Sequence, residues 1–272
     1  MLMAVKRQWK NIKGNSGLIG GYFKLNLSAS MEYRSSFLVQ VFGMFLNNLS
    51  FAFFWWLLFE RFETIGGYGF REIMLLWAFS TSGFGLCFIF FGNANRLVEI
   101  IIKGELDSYL LQPKNVLLNV IGSRTRVSAW GDLVYGVILY FMVEGFSLGG
   151  TGFFIVISIS AGLLYAAVLV TFNALAFYFG NVSSLATLAF EFIITLSIYP
   201  AEMFQGIIRL ILFTILPAGF MTMVPINLID AFDLKWFLLL LGAVIVWIGL
   251  AFTVFYRGLR KYESGNLMVQ KL

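Results

Sequence analysis

Long apolar runs separated by short polar connections organise this chain. Five of them are long enough to cross a hydrocarbon layer of about 30 Å at about 1.5 Å per helical residue: residues 37–59, 73–92, 127–146, 153–179 and 182–199. A sixth covers 234–256. The pattern predicts an all-α polytopic membrane protein with six transmembrane helices. Between the last two runs, residues 200–226 are apolar but cut by Pro200, Pro217 and Pro225, and they carry Arg209. Proline removes a helix donor and clashes with the preceding turn, and irregular backbone survives at membrane depth only where protein or water covers it. The stretch therefore reads as a re-entrant hairpin, not as a seventh crossing.

Positive charge supports the even count. Fifteen of the 19 Lys and Arg residues fall in 1–36, 93–126 and 257–272, and cytoplasmic flanks are where such residues accumulate. Six spans put all three segments, and so both termini, on the cytoplasmic side, whereas seven would expel the basic tail. The N-terminus has basic residues without the compact apolar core and small-residue cleavage site of a signal peptide. Further on, Ile19, Phe23, Leu27 and Met31 recur every fourth residue opposite Lys24, Ser28, Glu32 and Ser35. That spacing predicts an amphipathic helix lying in the cytoplasmic interface within residues 1–36, although Asn26, Ser30 and Arg34 interrupt its apolar side.

Composition narrows the chemistry. Of the 272 residues, 60% are hydrophobic and 12% charged, against about 45–50% and about 25% in soluble domains. The absence of His excludes a His-based catalytic triad and a His-ligated metal within the chain, and the single Cys87 excludes an intrachain disulfide and a Cys-cluster metal site. No GxxxxGK[ST] occurs, so the chain has no P-loop and any ATP is handled by another chain. No catalytic residue, metal or cofactor is expected here, and the expected surroundings are a lipid bilayer without nucleic acid.

The most informative polar segment is residues 93–115, NANRLVEIIIKGELDSYLLQPKN. Arg96, Glu99, Lys103 and Asp107 fall three, four and four apart, while Val98, Ile102, Leu106 and Leu110 repeat every fourth position. This predicts one amphipathic helix over 94–112, with Glu99 placed to pair with Lys103 and Pro113 as the stop. Its apolar stripe packs on the bilayer, on the rest of the chain, or on a partner.

The phrase Ile102-Lys103-Gly104-Glu105-Leu106-Asp107, followed by Leu110 and Pro113, resembles the I-x-G-x-L-D-x-x-L-x-x-P pattern that follows the second span of ABC-2 type permeases. Glu32-Tyr33-Arg34 resembles that family's entry into the membrane, and Tyr199-Pro200 with Pro217 and Pro225 resembles its proline-marked segment between spans five and six. The resemblance implies the membrane subunit of an ATP-driven exporter in the inner membrane, paired with a second permease chain and with ABC ATPase subunits that bind ATP and Mg. It places a coupling helix at about 94–112, with Gly104, Leu106 and Asp107 at the marked positions beside Arg96, Glu99 and Lys103. An ATP-independent channel or secondary transporter is the alternative from another class, and an intramembrane enzyme is disfavoured by the missing His.

Ionisable residues inside the runs need an account, because each costs about 2.5–3.5 kcal/mol at mid-membrane. Glu191, central in the fifth run, either lines a pathway shared by two chains or is a protonated acid bonded to a neighbouring polar side chain. Asp132 is expected near the inner head groups, solvated or paired with Arg124 or Arg126. Glu144 is expected at the outer head groups, and Arg209 must reach water or a carboxylate such as Glu202. The aromatic run 51–56 reads as a head-group anchor. Gly145 with Gly149, and the run Ser80 to Gly85, are candidate close-packing pairs.

Overall fold

The computed structural model describes residues 12–200, 203–204, 206–221 and 223–263, with no strand among them. Its helices are α1 (Ile12–Glu32), α2 (Arg34–Phe59), α3 (Phe70–Phe90), α4 (Leu97–Ile102), α5 (Asp107–Leu110), α6 (Val116–Gly122), α7 (Ala129–Glu144), α8 (Leu148–Asn173), α9 (Ala176–Phe179), α10 (Ser183–Ile198), α11 (Ile207–Phe213), α12 (Ala218–Met221), α13 (Met223–Asp230) and α14 (Leu234–Leu259). Among the described residues, four helical segments are long and apolar enough to cross a membrane: α2, α3, α8 continued through α9, and α14. The chain is a multi-pass membrane protein. α7 and α10 occupy two further apolar runs as 16-residue helices.

Sequence sets the ends of these helices. The Glu72 carboxylate accepts the Gly69 N–H at 2.9 Å where α3 begins, and Asp233 accepts the Lys235 N–H at 2.8 Å where α14 begins, satisfying donors that a helix start leaves free. At the close of α10, Tyr199 is extended, the conformation imposed on a residue before proline.

α3 is the axis of the bundle. Residues Ile73 to Phe79 are buried on every side, as expected for a helix apolar all round, and α7 and α8 form its main walls. α2 packs on α7, and α14 on α8. Small residues permit the contact of α3 with α7: a Cβ on Gly85 would lie 2.7 Å from the Leu133 nitrogen and 2.9 Å from the Ala129 oxygen. The Ser80 to Gly85 run is therefore a packing surface. A Cβ added at Gly145 or Gly149 would meet nothing within 4 Å, so this pair makes no close helix contact among the described residues.

Four expectations need correction or refinement. The predicted 94–112 helix is not continuous: a 3₁₀ turn (Ala94–Arg96) leads into α4, and Gly104 at φ +75° separates α4 from α5. Most side chains resist that backbone conformation, and the turn swings Leu106 into the core at 0% exposure. Asp132 is neither solvated nor ion-paired with Arg124 or Arg126: it is 2% exposed, and its Oδ1 accepts from Asn48 Nδ2 on α2 at 2.8 Å. Within the aromatic run, Trp55 is a core residue 6.0 Å from the Tyr199 ring, leaving Phe51, Phe53, Phe54 and Trp56 exposed. The segment after α10 folds as two helical limbs, Ile207–Phe213 and Ala218–Asp230, bent by 61° at a break that contains Pro217. Its geometry is that of a broken span or a re-entrant loop. Glu202, and the basic residues at both chain ends numbered 6, 7, 10 and 271, lie outside the described residues.

Candidate coupling platform and transport face

Residues 93–128 form a hydrogen-bonded platform at one end of the bundle. Asn93 Nδ2 donates to the Val120 carbonyl at 3.2 Å and to Ser123 Oγ at 2.8 Å, while the Arg126 N–H reaches the Phe88 carbonyl at 3.0 Å, closing the platform onto the end of α3. Asn115 caps α6 by accepting the Leu118 N–H at 3.0 Å, and the same oxygen accepts the Tyr256 hydroxyl of α14 at 3.0 Å. Asn119 Nδ2 donates to Gln112 Oε1 at 3.0 Å, and the Asn119 oxygen accepts the Tyr22 hydroxyl.

α1 docks on this platform. Asn26 Nδ2 donates to the Gly122 carbonyl at 3.1 Å, and Phe23 stacks on Phe90 with ring centroids 5.2 Å apart. Asn26 looked like an interruption of an apolar face, yet it serves an otherwise free carbonyl at the end of α6. Burial, and then the neighbouring Tyr109, push the Tyr22 phenol up. Beyond α14, burial and the Asp107 carboxylate push the Tyr262 phenol up to about 12. Asp107 thus lies against the end of the last long helix.

The polar side of α4 is ordered by ion pairs. Glu99 bonds to Lys103, as its spacing predicted, and to Arg96 Nε at 3.2 Å, and these two cations, Lys103 first, hold the Glu99 carboxyl below its ordinary range. Gly104 makes the turn, Leu106 anchors it, and Leu111 projects outward at 88% exposure. A cavity of about 540 Å³ separates this side from the start of α10, with Arg96, Lys103 and Arg126 on one wall and Asn181 and Thr187 on the other.

α10 carries the second candidate region. Glu191 lies on its exposed side, together with Ser184, Thr187 and Thr195. Their spacing of three, four and four makes one polar stripe along the helix, flanked by exposed Leu188 and Phe192. Among the described residues Glu191 has neither a hydrogen bond nor an ion pair, so no partner within the described chain accounts for it. The stripe is legible as a helical period, but each of the three hydroxyls is tolerable alone in a membrane helix and carries no signal by itself.

A sequence model of the family described as ABC-2 family transporter protein matches residues 45–265. The chain belongs to the ABC-2 transporter family. No curated protein and no solved structure matches it.

The matched region of this ABC-2 protein also contains a charge cluster at the end of the bundle opposite the platform. Arg71 of α3 pairs with Glu144 of α7 at 2.6 Å and with Asp230 of α13 at 2.9 Å. Sequence predicts a head-group level for Glu144 but not its partner, since residues 71, 144 and 230 are far apart along the chain. Arg209 is exposed and forms no ion pair among the described residues. Pro200 closes α10, Pro217 sits at the bend and Pro225 falls early in α13. Arg71→Ala is expected to loosen α13 from α3. With the Arg71 side chain 43% exposed, the stability change should be small, about 1 kcal/mol, but amide exchange in 223–230 should quicken. Unchanged exchange there would show that the cluster holds nothing.

Proposed function

We propose that this chain is the permease half of an ABC-2 exporter, with six spans and with both termini and the platform on the cytoplasmic side of the inner membrane. In this reading α7 and α10 are spans although each is only about 24 Å long, a shortfall that local thinning of the bilayer accommodates. A second permease chain, identical or related, faces α10, and separate ATPase subunits binding ATP and Mg dock beneath the 94–112 segment. The segment from Pro200 to Pro225, with Arg209, is the re-entrant hairpin on the outer side.

The observation that carries this reading is Glu191 in its polar stripe. A carboxylate in the middle of a membrane helix, exposed on its own chain and without a partner among the described residues, is costly against lipid and reasonable against water, substrate or another chain. The platform supplies the other half of the mechanism. A push on α4 and α5 is delivered to α1 through the Tyr22–Asn119 and Asn26–Gly122 bonds, and to α14 through Tyr256 and Tyr262, so closure of the ATPases would tilt both helices together.

The test is to co-express the chain with the ATPase of a neighbouring reading frame and measure transport and ATP hydrolysis for Glu191→Gln and Glu191→Leu. Gln keeps shape and hydrogen bonding but removes charge, so the protein should fold while substrate-stimulated turnover changes about tenfold, the equivalent of ~1.4 kcal/mol. Leu should lower it further. Wild-type transport in both variants would overturn the pathway role, and failure of any ATPase to associate would favour an ATP-independent carrier.

A further inference from the structure

A cavity of about 190 Å³ lies between α2, α3, α7, α8 and α10. Asp132 lines it, 2% exposed; one carboxylate oxygen is held by Asn48, and Oδ2 has no hydrogen-bond partner among the described residues. No Lys or Arg lines the cavity. Its hydroxyls can accept: Ser80 and the Tyr165 hydroxyl lie 2.8 Å apart, and Thr81 gives its own proton to the Trp77 carbonyl at 2.7 Å. Aromatic rings complete the wall, with Phe51 stacked on Trp77 at 4.9 Å and Phe84 beside them. Asn47 and Phe51, both exposed, stand at its edge.

The unpaired carboxylate oxygen and the aromatic rings favour a positive guest. A carboxylate in an apolar interior is stable with a counter-charge beside it, hydroxyl lone pairs accept from ammonium protons, and ring faces attract cations. An anion would meet Asp132, with no Lys or Arg in the cavity wall to receive it. We propose that this cavity binds a cationic group, a protonated or quaternary amine carried on an apolar body, and that it selects the substrate of the transport pathway. The proposal rests on the permease reading, because the cavity is lined in part by Ile194 and Ile198 of α10, the helix that carries Glu191.

The experiment is calorimetric titration of the purified full-length chain in dodecyl maltoside micelles with decyltrimethylammonium, using decanol as the uncharged control of equal chain length. The wild type is expected to prefer the ammonium by about tenfold or more. Asp132→Asn keeps the shape and the bond to Asn48 while removing the charge, and should abolish the preference. Asn47→Lys, at the exposed edge, brings an internal ammonium to Asp132 and should abolish it too, which keeps the test decisive if Asp132→Asn does not fold. No preference in the wild type, or a preference surviving in both variants, would overturn the proposal, as would its loss in Glu191→Gln alone. Binding by the isolated chain needs neither ATPase nor transport. A Glu191 variant that transports normally would remove the pathway reading without changing this result.

Discussion

If an ATPase docks beneath residues 94–112 as proposed, Leu111→Asp is expected to release it while leaving the helices folded, whereas Leu106→Asp should collapse the platform itself. The two leucines lie five residues apart in a segment that reads as a single amphipathic helix, but Gly104 turns Leu106 into the core at 0% exposure and α5 leads out to Leu111 at 88%. A charge forced into a packed apolar site costs about 3–5 kcal/mol through lost burial and an unpaired carboxylate. An exposed apolar anchor at a docking surface is worth about 2 kcal/mol, or about 30-fold in affinity. Affinity capture of the ATPase together with detergent melting separates the two: Leu111→Asp should lower capture at an unchanged melting temperature, and Leu106→Asp should lower both. Full capture by the Leu111 variant would move the docking surface away from this turn.

Gly85→Val should destabilise the bundle markedly. Even the Cβ of an added side chain would lie within 3 Å of the α7 backbone at Leu133 and Ala129. Backbone does not yield as the end of a side chain does, so α3 and α7 must move apart. Overpacking of this kind costs about 1–3 kcal/mol, and the branched Val belongs at the upper end. Gly149→Val, with nothing within 4 Å, should leave the melting temperature within error. Equal effects of the two substitutions would mean that the α3–α7 contact is not what stabilises the bundle.

These glycines show where sequence reasoning reaches its limit. Gly85 and Gly149 both sit in small-residue pairs, and spacing alone favours neither, because close approach is a property of two helices and sequence describes one at a time. Asp132 shows the same limit for charge. Its proximity in sequence to Arg124 and Arg126 suggested an interfacial pairing, but its bonded partner is Asn48, 84 positions away, reached because Gly131 lets α7 approach α2 near Met44. Asn26 and Arg71 are further cases: an apparent flaw in an amphipathic face and an unremarked flanking charge each become tertiary contacts.

Sequence by itself determined the membrane class, the long apolar helices, the proline-broken segment after α10, the pairing of Glu99 with Lys103 and the family, because each is expressed in runs, spacings or local order along one chain. Tertiary structure decided which sides of those helices are buried: that α3 is the axis, that Leu106 faces inward while Leu111 does not, that Asp132 enters a cavity with one oxygen unpartnered, and that Glu191 heads an exposed stripe. The physical reason is that hydropathy measures the transfer of a residue out of water and is nearly blind to whether lipid or protein receives it. In a membrane both are apolar, and only packing tells them apart.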